Sequence, residues 1–175
     1  FPMQGWVRKD DTLTMNGPVA REMRSIGIGY IEPTGPISGP VIDLGAGGPK
    51  DFERDFPKNA IGLFGPSTKG RTDEVSARAV ENGLVGLMFI NRVGGGQLLA
   101  RTGVFHGESL PMPVYSVTQA EGFWMRRLIV RDVPVEFGLE ARSYTTPIAT
   151  INLRVRIPGR PAETVLLGSH FDSWY

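Results

Sequence analysis

The sequence predicts a mixed α/β (α+β) protein, rich in strands and poor in helices. Short apolar runs recur along the chain, separated by turns drawn from 23 glycines and 14 prolines. Only two stretches carry helix-start signals. Residues 133–141 and 148–157 alternate as long antiparallel strands do.

The elements follow in order. From Phe1 to about Arg24 periodicity is weak, with Val7 to Met15 expected as a strand and Asn16-Gly17-Pro18 as a turn. Ile26 to Ile31 is the next strand, closed by Pro33, Gly35 and Pro36. Val41 to Leu44 and Ala60 to Phe64 follow, each ending in a glycine loop. The first helix is expected from Thr72 to Asn82, with Thr72 as N-cap, Asp73 and Glu74 in the first turn and Gly83 past the end. Leu84 to Asn91 is a nearly continuous apolar run, the pattern of a strand buried on both faces. Gly94-Gly95-Gly96 opens an irregular stretch to Pro111. Val114 to Val117 is a strand, and Thr118-x-x-Glu121 marks a second helix with Ala120, Trp124 and Leu128 on one stripe. Val133 to Ala141, Ile148 to Ile157 and Thr164 to Gly168 complete the strands. The expected division is a lead-in segment, 1–24, a main domain, 25–146, and the start of another domain, 147–175, entered through a hairpin.

Bulk properties exclude several functions. The chain has 175 residues, 41% hydrophobic and 21% charged, with a formal net charge of +1. Its arginines are scattered, so nothing tracks a phosphate backbone and no nucleic-acid partner is expected. No apolar stretch approaches a membrane span, and no signal peptide is visible. There is no cysteine, hence no disulfide or thiolate site.

The chemistry concentrates at the end, in LLGSHFDSWY (Leu166 to Tyr175). An apolar strand followed by Gly168 and Ser169 delivers His170 and Asp172 at a strand's C-terminal end, where catalytic groups collect in open α/β sheets. An imidazole with a carboxylate two residues on suits a metal ligand oriented by its neighbour. A hydrolytic zinc site needs three or more N/O ligands and an open position, and one histidine does not supply them. The other histidine, His106, sits beside Gly107 and Glu108 and reads as a solvated loop residue; a complete site would require it to meet His170. Gly45-x-Gly47-Gly48 and Gly94-Gly95-Gly96 lack the strand–glycine–helix context of a phosphate site and read as turns. No Gly-x-Ser-x-Gly elbow is present, and Asp10-Asp11 and Asp73-Glu74 stand where turns and helix starts want acids.

Four segments in order resemble the protease-associated (PA) domain: GPISGPVIDLG (Gly35 to Gly45), NAIGLFGPSTKG (Asn59 to Gly70), ENGLVGLMFIN (Glu81 to Asn91) and SLPMPVYSV (Ser109 to Val117). Gly65-Pro66 replaces the Arg-Gly that many members carry, and the common cysteine is missing. The tail, INLRVRIPG (Ile151 to Gly159) and VLLGSHFDSWY (Val165 to Tyr175), is similar to the opening of the catalytic domain in M28 zinc peptidases.

The resemblance implies an open β-barrel or sandwich with two flanking helices, plus a C-terminal β-hairpin from a catalytic domain. It implies a lid or interaction domain of a secreted aminopeptidase or carboxypeptidase, extracellular or periplasmic, acting on peptides. In the parent His170 would be a ligand to one of two zincs and Asp172 would fix its tautomer. The other ligands and the base would lie downstream, so this chain alone should be inactive and hold no zinc tightly. The alternative is a pure interaction module in which the His-x-Asp pair is accidental.

Overall fold

A computed structural model describes residues 2–67, 70–159 and 165–170. The strands are β1 (Pro2–Val7), β2 (Thr12–Gly17), β3 (Arg21–Glu22), β4 (Ser25–Gly27), β5 (Thr34–Asp43), β6 (Ile61–Phe64), β7 (Gly86–Ile90), β8 (Val114–Val117), β9 (Glu136–Ala141) and β10 (Tyr144–Ala149). Helix α1 (Thr72–Glu81) joins β6 to β7, and α2 (Gln119–Val130) joins β8 to β9. Eight strands form one curled mixed sheet in the order β3-β2-β9-β5-β6-β7-β8-β4; β1 pairs with β10 alone. The centre, β5 through β8, is parallel, and the flanks are antiparallel. This is the strand-rich α+β architecture with two helices that the sequence predicts.

The parallel strands are apolar on both sides because both sides are covered. Along β7, Leu87 and Phe89 face one core with Val75 and Ala79 of α1. Met88 and Ile90 face the other with Met125 of α2. Along β6, Ile61 and Leu63 join the α2 side while Phe64 stacks on Phe89, ring centroids 5.1 Å apart. Burying each such side chain contributes about 1.5–3 kcal/mol. Helix α2 sits close to the sheet at Gly122, where a Cβ would lie 2.5 Å from Ile90 Cγ1.

Several local expectations shift. The strand expected over Val7 to Met15 is divided between β1 and β2, because the charged run Arg8 to Asp11 forms the turn between them. Asp11 is the reason that turn is specific: its carboxylate accepts from the amides of Arg142 (2.7 Å) and Ser143 (2.8 Å) and from the Ser143 hydroxyl. Ser143 Oγ in turn accepts from the Lys9 amide at 2.9 Å. The β1–β2 and β9–β10 turns are thereby clasped together. Tyr30, at φ 72°, stands beyond the end of β4, which stops at Gly27 rather than reaching Ile31. The N-cap of α1 is Arg71, whose amide donates to Glu74, and not Thr72. Thr118 caps α2 as expected, accepting from the Glu121 amide at 3.3 Å. The buried stripe of α2 runs through Gly122 and Met125, one step round from Ala120, which is exposed.

Pairing crosses both expected boundaries. β2 lies between β3 and β9, and β10 runs across residue 147 to pair with β1, Pro2 opposite Ala149 and Val7 opposite Tyr144. The expected C-terminal hairpin is not formed among the described residues: β10 ends at Ala149, and 150–159 and 165–170 hold no strand. A period-two pattern selects which face is buried, but a strand needs a neighbour to complete its ladder.

Candidate functional site

The C-terminal ends of β6, β7 and β8 point to one edge of the sheet, the usual place for a ligand in parallel arrangements. Asn91 follows β7 there and is buried. Its Nδ2 donates to Ser116 Oγ (3.2 Å), and its Oδ1 accepts from the Val93 amide (3.0 Å), which turns the chain out of the sheet. The loop then folds back onto the segment after β4. Gly29 N donates to Arg101 O (2.7 Å), Gly103 N to Gly29 O (3.0 Å) and Leu110 N to Tyr30 O (2.7 Å). The Tyr30 hydroxyl donates to Gln4 O at 3.2 Å, tying the same region to β1.

Between loop and sheet lies an open groove of roughly 630 Å³, within the range of small-molecule sites. Tyr30, Leu99 and Phe105 form apolar walls, and Asn91, Arg92 and Arg101 bring polar groups to it. Arg101 lies over the Phe89 ring, 5.5 Å from its centroid. Burial, and then the neighbouring charge of Arg92, push the Arg101 guanidinium below its ordinary range.

The end of β5 is filled by the protein's own groups. Asp43 Oδ1 accepts from Gly45 N (2.9 Å) and from Arg126 Nη2 of α2 (2.7 Å), and Arg126 also donates to Gly45 O (2.8 Å). Arg54 donates to the Asp43 carbonyl. In the neighbouring glycine loop the Asp51 carboxylate accepts from Gly48 N at 2.8 Å. A carboxylate already occupies the place an anion would take, as expected of a structural turn. No helix begins in the stretch from Asn91 to Pro113 that holds Gly94 to Gly96.

The residues singled out from sequence lie on separate segments of the chain. His170 is exposed on a segment without regular structure, where Ser169 Oγ donates to its carbonyl at 3.1 Å. Asp172 lies outside the described residues. His106 is exposed in the 91–113 loop beside Phe105. Among the described residues no three His, Asp or Glu side chains come together as a metal site. The described residues therefore do not by themselves fit a zinc centre. Sequence reasoning missed the groove residues, because Arg92, Arg101 and Phe105 form no motif and meet only after the loop has folded back.

The fold thus defines a class, a strand-rich α+β domain with a helix on each face of a curled mixed sheet. No family model matches the chain, and no curated protein matches it. Solved structures do. An aminopeptidase from Aneurinibacillus sp. strain AM-1 matches over 85% of this chain and 34% of its own, with TM-score 0.69 and 16% identity. BSAP, a zinc aminopeptidase from Bacillus subtilis, matches over 84% of this chain and 35% of its own, with TM-score 0.60 and 18% identity. A peptidase M28 precursor from Shewanella amazonensis SB2B matches over 84% of this chain and 38% of its own, with TM-score 0.57 and 15% identity. The likeness is one of fold, and the chain spans little more than a third of the length of the structures it matches. Among the described residues no helix is long and apolar enough to cross a membrane.

Proposed function

We propose that this chain is the PA-type domain of an M28-like zinc peptidase, followed by the first residues of the peptidase domain. The observation that carries the reading is the fold match: 85% of this chain aligns with about a third of an aminopeptidase. The exposed apolar segments that lead to His170 fit the same reading, since in the parent they would complete a ladder with an outside sheet. In the parent, His170 ligates one of two zincs and Asp172 holds its imidazole in the ligating tautomer. Zinc supplies the activation of water for peptide hydrolysis, in an extracellular or periplasmic enzyme. The folded body acts as a lid that shapes access of the peptide to that centre.

The test is zinc-dependent aminopeptidase activity of the full-length parent, with and without His170→Ala. The reading predicts a loss of at least about a hundredfold, since even outer partners of metal ligands cost 10–100-fold. Unchanged activity in the variant, or no activity with any metal, would leave a pure interaction module. One observation favours that second reading: a groove of roughly 630 Å³ with apolar walls and two arginines opens beside the 91–113 loop.

A further inference from the structure

Two arginines, Arg92 and Arg101, line the groove between the 91–113 loop and Tyr30, and neither takes part in an ion pair among the described residues. The four ion pairs among the described residues use Arg21, Arg71, Arg126 and Arg142 instead. We propose that this groove binds a carboxylate carried on an apolar residue of a peptide.

Arg101 is half-buried and sits close enough to Arg92 to be disfavoured as a cation, after the larger effect of its burial. An anion placed between the two would offset both costs and form charge-assisted hydrogen bonds. Among the described residues no carboxylate pairs with either group. The nearby Arg71 lies over the Phe105 ring at 4.9 Å but is already paired with Asp73. The Asn91 amide is committed to Ser116 and Val93, so it does not compete for the ligand.

The walls decide what carries the charge. Phe105 is 74% exposed, an unusual condition for so large an apolar ring, and Leu99 and Tyr30 extend the same surface. A phosphate, with more charge to desolvate against these apolar walls, is a poorer match, and the backbone amides that cradle one at a helix N-terminus are missing here. No helix starts in this loop, and the amides of Gly29 and Gly103 are used in backbone bonds. The groove therefore suits one carboxylate beside an apolar side chain, from a peptide C-terminus or from an acidic side chain with an apolar neighbour.

This inference is independent of the peptidase reading, and its test uses the chain itself without zinc. Calorimetric titration would compare acetyl-Ala-Leu as the free acid, its C-terminal amide, and acetyl-Glu-Leu-amide. The free acid should bind at least about tenfold more tightly than its amide. Arg92→Gln should weaken the free acid by a similar factor, and Arg101→Gln should do the same. Arg92 is exposed, so its variant should keep the parent melting temperature or exceed it, through relief of the repulsion on Arg101. Binding of acetyl-Glu-Leu-amide would assign the site to acidic side chains as well; its failure to bind would restrict the site to chain termini. Equal binding of acid and amide, no binding of any peptide acid, or displacement of the acid by equimolar inorganic phosphate would overturn the proposal.

Discussion

β6 and the segment Val165 to Leu167 are both short apolar runs ahead of a glycine, yet all four residues of β6 are buried while Leu166 is 89% exposed. The difference is in their neighbours. β6 lies between β5 and β7, with a core on each face, so its amides are paired and its side chains removed from water. Val165 to Leu167 have no strand beside them among the described residues. Burial therefore belongs to the assembled sheet and not to the run itself. Single changes should separate the two regions accordingly.

Phe64→Ala should produce the largest effect, a loss of about 3–5 kcal/mol in urea unfolding, because it opens a cavity beneath Phe89 and Phe52. Leu166→Ala should stay within about 0.5 kcal/mol of the parent. A comparable loss from both would end the distinction between body and tail.

Asp11→Ala should rank next, at about 2–3 kcal/mol, since it leaves the Arg142 and Ser143 amides and the Ser143 hydroxyl without their acceptor. A loss below about 0.5 kcal/mol would mean that the β1–β10 ladder holds without the clasp between the turns.

Tyr115 should give the body a pH dependence that the tail lacks. Burial, with Asp11 and Glu140 adding repulsion, raises its hydroxyl above the ordinary tyrosine range, and that hydroxyl donates to Glu140 O at 2.8 Å. A raised folded-state value means the stability is fully present below the unfolded pKa of about 10 and is lost as pH rises above it. Tyr115→Phe should flatten that alkaline loss in thermal melts while costing about 1 kcal/mol at neutral pH. The same alkaline slope in the variant would assign it elsewhere.

The smallest effect on stability should come from Leu166→Asp, whose readout is association. The exposed apolar residues of 151–157 and 165–167 invite pairing with another chain. Sedimentation should show less self-association in the variant at unchanged melting temperature; equal association would remove the tail as its cause.

The body was largely legible in the sequence because each of its signals had a partner within the chain. The double-sided run at Gly86 to Ile90, the cap at Thr118 and the first helix all lie close to where patterning puts them. The tail misled because alternation over Ile148 to Ile157 and the run at Val165 to Leu167 describe strands only when a ladder exists. The groove was not legible, since Arg92 and Arg101 acquire meaning from the fold-back onto Gly29 and Tyr30. The metal reading at His170 and Asp172 rests on the resemblance of the tail, with the other ligands expected downstream, so the activity of the parent with and without His170→Ala is what tests it.

Amide hydrogen exchange on this chain and on the full-length parent tests the central claim, a finished body with a tail that requires an outside sheet. The account predicts slow exchange for β5 to β8 in both, and slow exchange of residues 151–157 and 165–167 only in the parent. Fast exchange of those tail amides in both proteins would contradict it, and with it the reading of this chain as part of a larger peptidase.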